Sequence, residues 1–381
     1  MLFLLLACKG SPEDTGAVED DALNECLALW SDQITEPDLD GPDTQIHGTS
    51  TFDGSGVWVA WSLPNDANTF DIWLTRLGCD GTTDIAPLAV TDSPDNELDP
   101  AIIVSRDRLL VAWATSTSDG LGIRHRLYDL TGAPLTEPTD LVASRDGVVV
   151  TGNASSPRLA ARSDGFMLAG FWGHDDATAF QAFSVALDLD GAIQGEAVDA
   201  ELDTEFGQTA VDLAVSNDDA ILVWQEDSTT STAPAAWQAA AGEAAVALGE
   251  PGARPAVAVT DAGVWSAWDT DSEGTIWIRP PSGGDLSLDL SGISHSPRLV
   301  PRRDGVVALS MTIDDGIYNA LSLSTIDADG TVQTIPLDTV GAPSVYGVDV
   351  TMIGADHAVV VWQEGENPAF RLRAQWVTLP Q

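Results

Sequence analysis

One phrase recurs along this chain of 381 residues, and it limits the fold more than any other feature. An apolar strand, often opening at Pro, leads through a turn with Asp into a second apolar strand that ends in Trp; a polar loop, a third strand and a turn with Gly follow. The second strands end at Val57-Trp-Val-Ala-Trp61, Leu109-Leu-Val-Ala-Trp113, Met167-Leu-Ala-Gly-Phe-Trp172, Ala220-Ile-Leu-Val-Trp224, Val264-Trp-Ser-Ala-Trp268 and Ala358-Val-Val-Val-Trp362. A seventh copy, Val306-Val-Ala-Leu-Ser310, has lost the Trp. First strands open at Asp99-Pro100, Ser156-Pro157, Arg254-Pro255 and Ser296-Pro297, and third strands run into Asp80-Gly81, Thr131-Gly132, Asp190-Gly191 and Asp329-Gly330. Gly supplies the positive φ that such tight turns need.

The first four Trp-to-Trp spacings are 52, 59, 52 and 44 residues, which suits a unit of four short antiparallel strands. One such sheet cannot cover both of its faces, whereas sheets stacked radially about an axis cover one another. The expected fold is therefore all-β, a seven-bladed β-propeller of four-stranded antiparallel blades spanning residues 25–381. The fixed place of the Trp residues argues for packing between sheets. In pattern the repeats resemble those of bacterial propeller lipoproteins, without the Gly-His and Trp-Asp marks of WD repeats or the Asp-box of sialidases. The last repeat stops after its third strand, so its outer strand must come from elsewhere. Gln33-Ile-Thr-Glu-Pro-Asp38 mirrors Leu135-Thr-Glu-Pro-Thr-Asp140 of the second repeat, and residues 27–38 are expected to close the ring as that outer strand.

Leu5-Leu6-Ala7-Cys8 resembles the bacterial lipobox, in which the cysteine is acylated and becomes the mature N-terminus. The resemblance implies a lipoprotein signal segment over 1–8, lipidation at Cys8, and an exported protein held to the cell envelope, at the outer membrane or cell surface, by lipid alone. Residues 9–24 read as a flexible acidic tether. Cys26 and Cys79 remain, and in an oxidising compartment they are expected to form a disulfide, the alternative being two unpaired thiols.

Asp and Glu number 59 against 16 Lys and Arg, a net charge of −43 that opposes nucleic acid and anionic surfaces. The loops between second and third strands carry Asp66, Asp119, Asp175, Asp176, Glu226, Asp227, Asp269, Asp271, Asp314, Asp315, Glu364 and Glu366. In a propeller these loops share one face, and a ligand-binding acidic face is expected there, for a protein, glycan or cationic partner. No cofactor is required, although calcium would suit such carboxylates. Asp188 to Gly191 and Asp327 to Gly330 resemble part of a calcium loop but read as hairpin turns. His47, His125, His174, His295 and His357 share no metal-ligand spacing. With no nucleophile elbow or phosphate loop, a monomeric, non-enzymatic binding scaffold is the leading expectation. The alternative is a carbohydrate-active hydrolase or lyase on the axis, where Arg158, Arg254 and Arg298 could grip an anionic sugar.

Overall fold

The computed structural model describes residues 16–35, 45–66, 69–117, 120–145, 148–150, 154–173, 180–200, 207–227, 234–249, 251–270, 274–288, 290, 293–314, 317–337, 345–366 and 369–381. Seven four-stranded antiparallel sheets follow one another along the chain, at 46–89, 96–140, 154–199, 207–249, 253–288, 293–336 and 345–378, the last completed by residues 33–35. Each blade's first strand touches that of the next, and the seventh touches the first, so the ring closes. An extra hairpin, Ala143–Arg145 with Val148–Val150, lies between blades 2 and 3 and accounts for the longest Trp spacing.

The core lies in the seven gaps between blades, each with its own apolar cluster. The six repeat Trp residues are buried in these gaps, at 0 to 6% exposure, each facing the preceding blade. This is why alternation fails in the second strands: both faces are covered, and Gly56–Pro64 is buried at every position but the last. Ser310, where the Trp is missing, is also buried. Its gap between blades 5 and 6 is filled from the opposite side by Trp265 of blade 5.

Blade 7 takes its outer strand from the N-terminus, as the sequence suggests. The strand β1 (Gln33–Thr35) pairs antiparallel with Ala369–Thr378, in the register Gln33 to Trp376. Asp32 reinforces the pairing by accepting hydrogen bonds from the Thr378 amide and hydroxyl, at 2.9 and 2.8 Å. The clasp begins later than the expected residue 27, because residues up to Leu29 are helical; residues 36–38 lie outside the described residues. A helix, α1 (Gly16–Leu29), takes up the C-terminal part of the segment read as tether. Leu23, Cys26, Leu27 and Trp30 fall at i, i+3, i+4 and i+7 and pack into the gap between blades 7 and 1. Cys26 and Cys79 are joined in a disulfide, both buried.

Every inner strand carries a β-bulge near its start. The bulge places one residue per blade in the left-handed region: His47, Asp99, Ser156, Ala210, Arg254, Ser296 and Gly347, with φ between 45° and 58°. In four blades Pro follows. Having no N–H, it forfeits no ladder bond at a position where the ladder is already interrupted. The amide of the left-handed residue still needs an acceptor, and in three blades the side chain following the preceding blade's Trp provides it. Gln225 accepts from Arg254, Asp269 from Ser296 and Gln363 from His47. The repeat thus knits neighbouring blades at the bulge as well as in the core.

Candidate functional site

Because the bulge restarts the inner strands in a common register, it also aligns the residues after it. Thr49, Ala101, Arg158, Asp212, Ala256, Arg298 and Asp349 occupy equivalent positions, and all but Ala256 line an axial cavity of about 820 Å³. That volume lies within the range of sites for small organic ligands. The bulge residues His47 and Asp99 line it as well.

The cavity aspartates are engaged. Asp212 accepts a hydrogen bond from the Val257 amide at 3.1 Å. Asp349 accepts from the Ser50 amide at 2.7 Å and from the hydroxyls of Thr49 and Ser50. Each thereby bridges its own inner strand to the next. Burial pushes the Asp349 carboxyl above the usual carboxylate range, despite the Ser50 amide and the Arg298 charge. Asp99 pairs with Nδ1 of His47. Burial pushes the Asp99 carboxyl up, but the His47 hydrogen bond and charge outweigh it and the carboxyl lies below its ordinary value.

The arginines are less well served. Arg158 hydrogen-bonds the Pro157 carbonyl and reaches Asp212 only at 4.0 Å. Burial, and then the positive charge of Arg298, lower its pKa against the pull of Asp212, Asp99 and Asp349. Among the described residues, Arg298 has neither a hydrogen bond nor an ion pair within 4 Å, although its guanidinium carries five N–H donors. Arg254, the third arginine of the sequence reading, does not join them. It turns to Asp269, with bonds of 2.8 and 2.7 Å, and to His295.

The four described acids of the expected acidic face divide into two pairs. Asp66 is exposed and Glu226 half-buried, the latter raised in pKa by burial. Asp269 is fully buried against Arg254, and Glu364 is buried between the Trp362 indole and Arg373. Asp269 links blade 5 to blade 6 through the Ser296 amide, Glu364 ties two strands of blade 7, and neither presents its charge to solvent. Asp119, Asp175, Asp176, Asp271 and Asp315 lie outside the described residues, as do Cys8, His174 and the side chains of Asp227, Asp314 and Glu366. The calcium-like turns are hairpin turns: Asp188 Oδ1 accepts from the amides of Asp190 and Ala192, and the Gly330 amide closes on the Asp327 carbonyl. No helix of the described residues is long and apolar enough to cross a membrane.

Sequence reading picked out Arg158 and Arg298 but missed His47, Asp99, Asp212 and Asp349. The signal was present, since Arg158 and Arg298 directly follow the recurring Pro, and aligning the Pro-less repeats on them brings Thr49, Asp212 and Asp349 to the same place.

No family model matches this chain, and no curated protein matches it in sequence. Solved structures do share its fold. A protein of unknown function from Dyadobacter fermentans is 10% identical, with 91% of this chain and 98% of that one covered at a TM-score of 0.56. Polysaccharide lyase Uly1 is 9% identical, with 90% of each chain covered and a TM-score of 0.57. Trypanosoma rangeli sialidase in complex with sialic acid is 11% identical at a TM-score of 0.57; the match covers 91% of this chain but 58% of the sialidase. At such identities the likeness establishes the propeller alone.

Proposed function

We propose that this chain is an exported, lipid-anchored scaffold that binds a carboxylate-bearing glycan in its axial cavity. One observation carries the reading: Arg298, with no hydrogen bond or ion pair among the described residues, lines the same cavity as Arg158, whose pKa burial and then the Arg298 charge depress. Two cations lining one cavity favour an anion between them, and a planar guanidinium fork matches a carboxylate in geometry. Half-buried polar and apolar walls suit the mixed faces of a sugar ring. The site so defined is axial; of the acidic rim, Asp269 and Glu364 are held in ion pairs. Two proteins of similar fold carry carbohydrate-active names, which supports a glycan as ligand.

Calorimetric titration with uronate oligosaccharides tests this. Arg298→Ala should weaken binding about 10- to 100-fold, the worth of one charge-assisted pair, while leaving the melting temperature in place. Equal affinity of the variant, or equal affinity for a carboxyl-reduced oligosaccharide, would refute the proposal.

A second reading, a carbohydrate-active hydrolase or lyase on the axis, is favoured by the His47–Asp99 pair, which has the form of a proton-transfer dyad.

A further inference from the structure

Three features of the cavity bear on chemistry. First, Nδ1 of His47 is tied to Asp99, and no described residue bonds Nε2. The His47 backbone is fixed too, its amide donating to Gln363 Oε1 at 3.2 Å. Gly347 makes room for it, since a Cβ there would lie 3.4 Å from the His47 Cα and 3.2 Å from that same Gln363 oxygen. The side chain of His47 is 45% exposed and lines the cavity. A carboxylate that orients one ring nitrogen and leaves the other open is the arrangement of a general base.

Second, Arg158 and Arg298 offer positive charge in the same cavity. Third, the carboxylates that glycoside hydrolysis requires are taken. Asp99 is held by His47, Asp212 by the Val257 amide and Asp349 by the Ser50 amide. In most glycosidases one carboxyl protonates the leaving oxygen and another attacks or activates water, and the described cavity has no such free pair.

Resting on the axial glycan reading, we infer that the cavity performs β-elimination on a 4-linked uronate polysaccharide, with His47 as the catalytic residue and Asp99 as its positioning residue. The arginines bind the uronate carboxylate and stabilise the negative charge that develops on it, which acidifies the neighbouring C5 proton. His47 Nε2 takes that proton, and the C5–H electrons form the C4=C5 bond. The C4–O bond breaks, and the leaving glycosidic oxygen takes the proton back from the imidazolium. The products are a 4,5-unsaturated uronate and a new reducing end. No water, metal or redox partner enters the balance.

The test uses the full-length chain with pectate, alginate, chondroitin and heparan-type polymers, read in parallel by calorimetry and by the ultraviolet absorbance of the conjugated product. On the polymer that binds, absorbance should rise in step with new reducing ends. His47→Gln should lower turnover about 10²- to 10⁴-fold, the usual worth of general acid–base catalysis, with affinity retained within a few-fold. Asp99→Asn should lower kcat with little change in KM. Binding without turnover, or reducing ends without absorbance, would overturn the elimination and leave the binding site standing. Absence of binding to every polymer would remove the glycan reading and the elimination with it. An active His47→Gln would return His47 to a purely architectural role.

Discussion

Replacing both cysteines, Cys26→Ala with Cys79→Ala, should lower the melting temperature by about 5 °C. The disulfide spans 53 residues of sequence, and that interval contains β1, the strand that closes blade 7. In the chain-entropy treatment a loop of this length removes about 14 cal/mol/K from the unfolded ensemble, or about 4 kcal/mol at 25 °C. Unfolding entropy of about 2.1 cal/mol/K per residue gives a chain of this size roughly 0.8 kcal/mol/K, hence the shift. Both sulfurs are buried between α1 and blade 1, so the loss of packing adds to the effect. Scanning calorimetry of the native chain under reductant should give this drop, and of the variant a somewhat larger one. Proteolysis between α1 and blade 1 should also quicken, because β1 is a three-residue strand that loses its covalent neighbour. A shift under 1 °C in both samples would refute the account of the disulfide as the tie that keeps the clasp in place.

Two further outcomes are expected. Asp53→Ala should cost about 3–5 kcal/mol at neutral pH, the range for breaking a buried pair, because Asp53 holds Arg76, the Trp58 indole and the Ser55 and Gly56 amides. Burial raises its carboxyl, yet Arg76 outweighs this and the folded-state pKa is depressed, so the stability it gives is complete above about pH 4 and lost as pH falls below; chemical denaturation at neutral and acid pH should show the variant's deficit shrinking. Asp349 carries the opposite sign: burial raises its folded pKa, so its contribution to stability is greatest at low pH and is lost as pH rises through that elevated range. Carboxylate binding measured across the same range should weaken as the Asp349 charge appears beside Arg298, and Asp349→Asn should abolish that part of the dependence.

The parts of this molecule that were readable in sequence are those that repeat. Six Trp residues in register, and Gly at the end of four third strands, announce the blades, and the Ile34-Thr35 segment announces the clasp because it copies Leu135-Thr136, which leads into the outer strand of blade 2 and bonds its third strand at Leu127. The helix α1 was hidden by its setting. Its apolar positions 23, 26, 27 and 30 have helical spacing, but they sit behind a run of acids and Gly that reads as tether. The bulges were hidden for a different reason. A Pro at a strand start looks like a boundary, while here it marks a bulge that re-aims the next side chain toward the axis. Asp269 and Glu364 read as loop charges, but each lies at or near the end of a strand just past a Trp, next to an arginine that sequence alone does not bring near.

The order of fastenings along the N-terminal segment bears on how the protein carries load. Tension applied at the N-terminus meets Cys26 before it meets Gln33, and the disulfide diverts it into the hairpin of blade 1 at Cys79. The β1 ladder lies downstream of that junction and is shielded from peeling. A molecule tethered by its N-terminus could thus be pulled by a ligand held on the axis without unzipping the strand that shuts the ring.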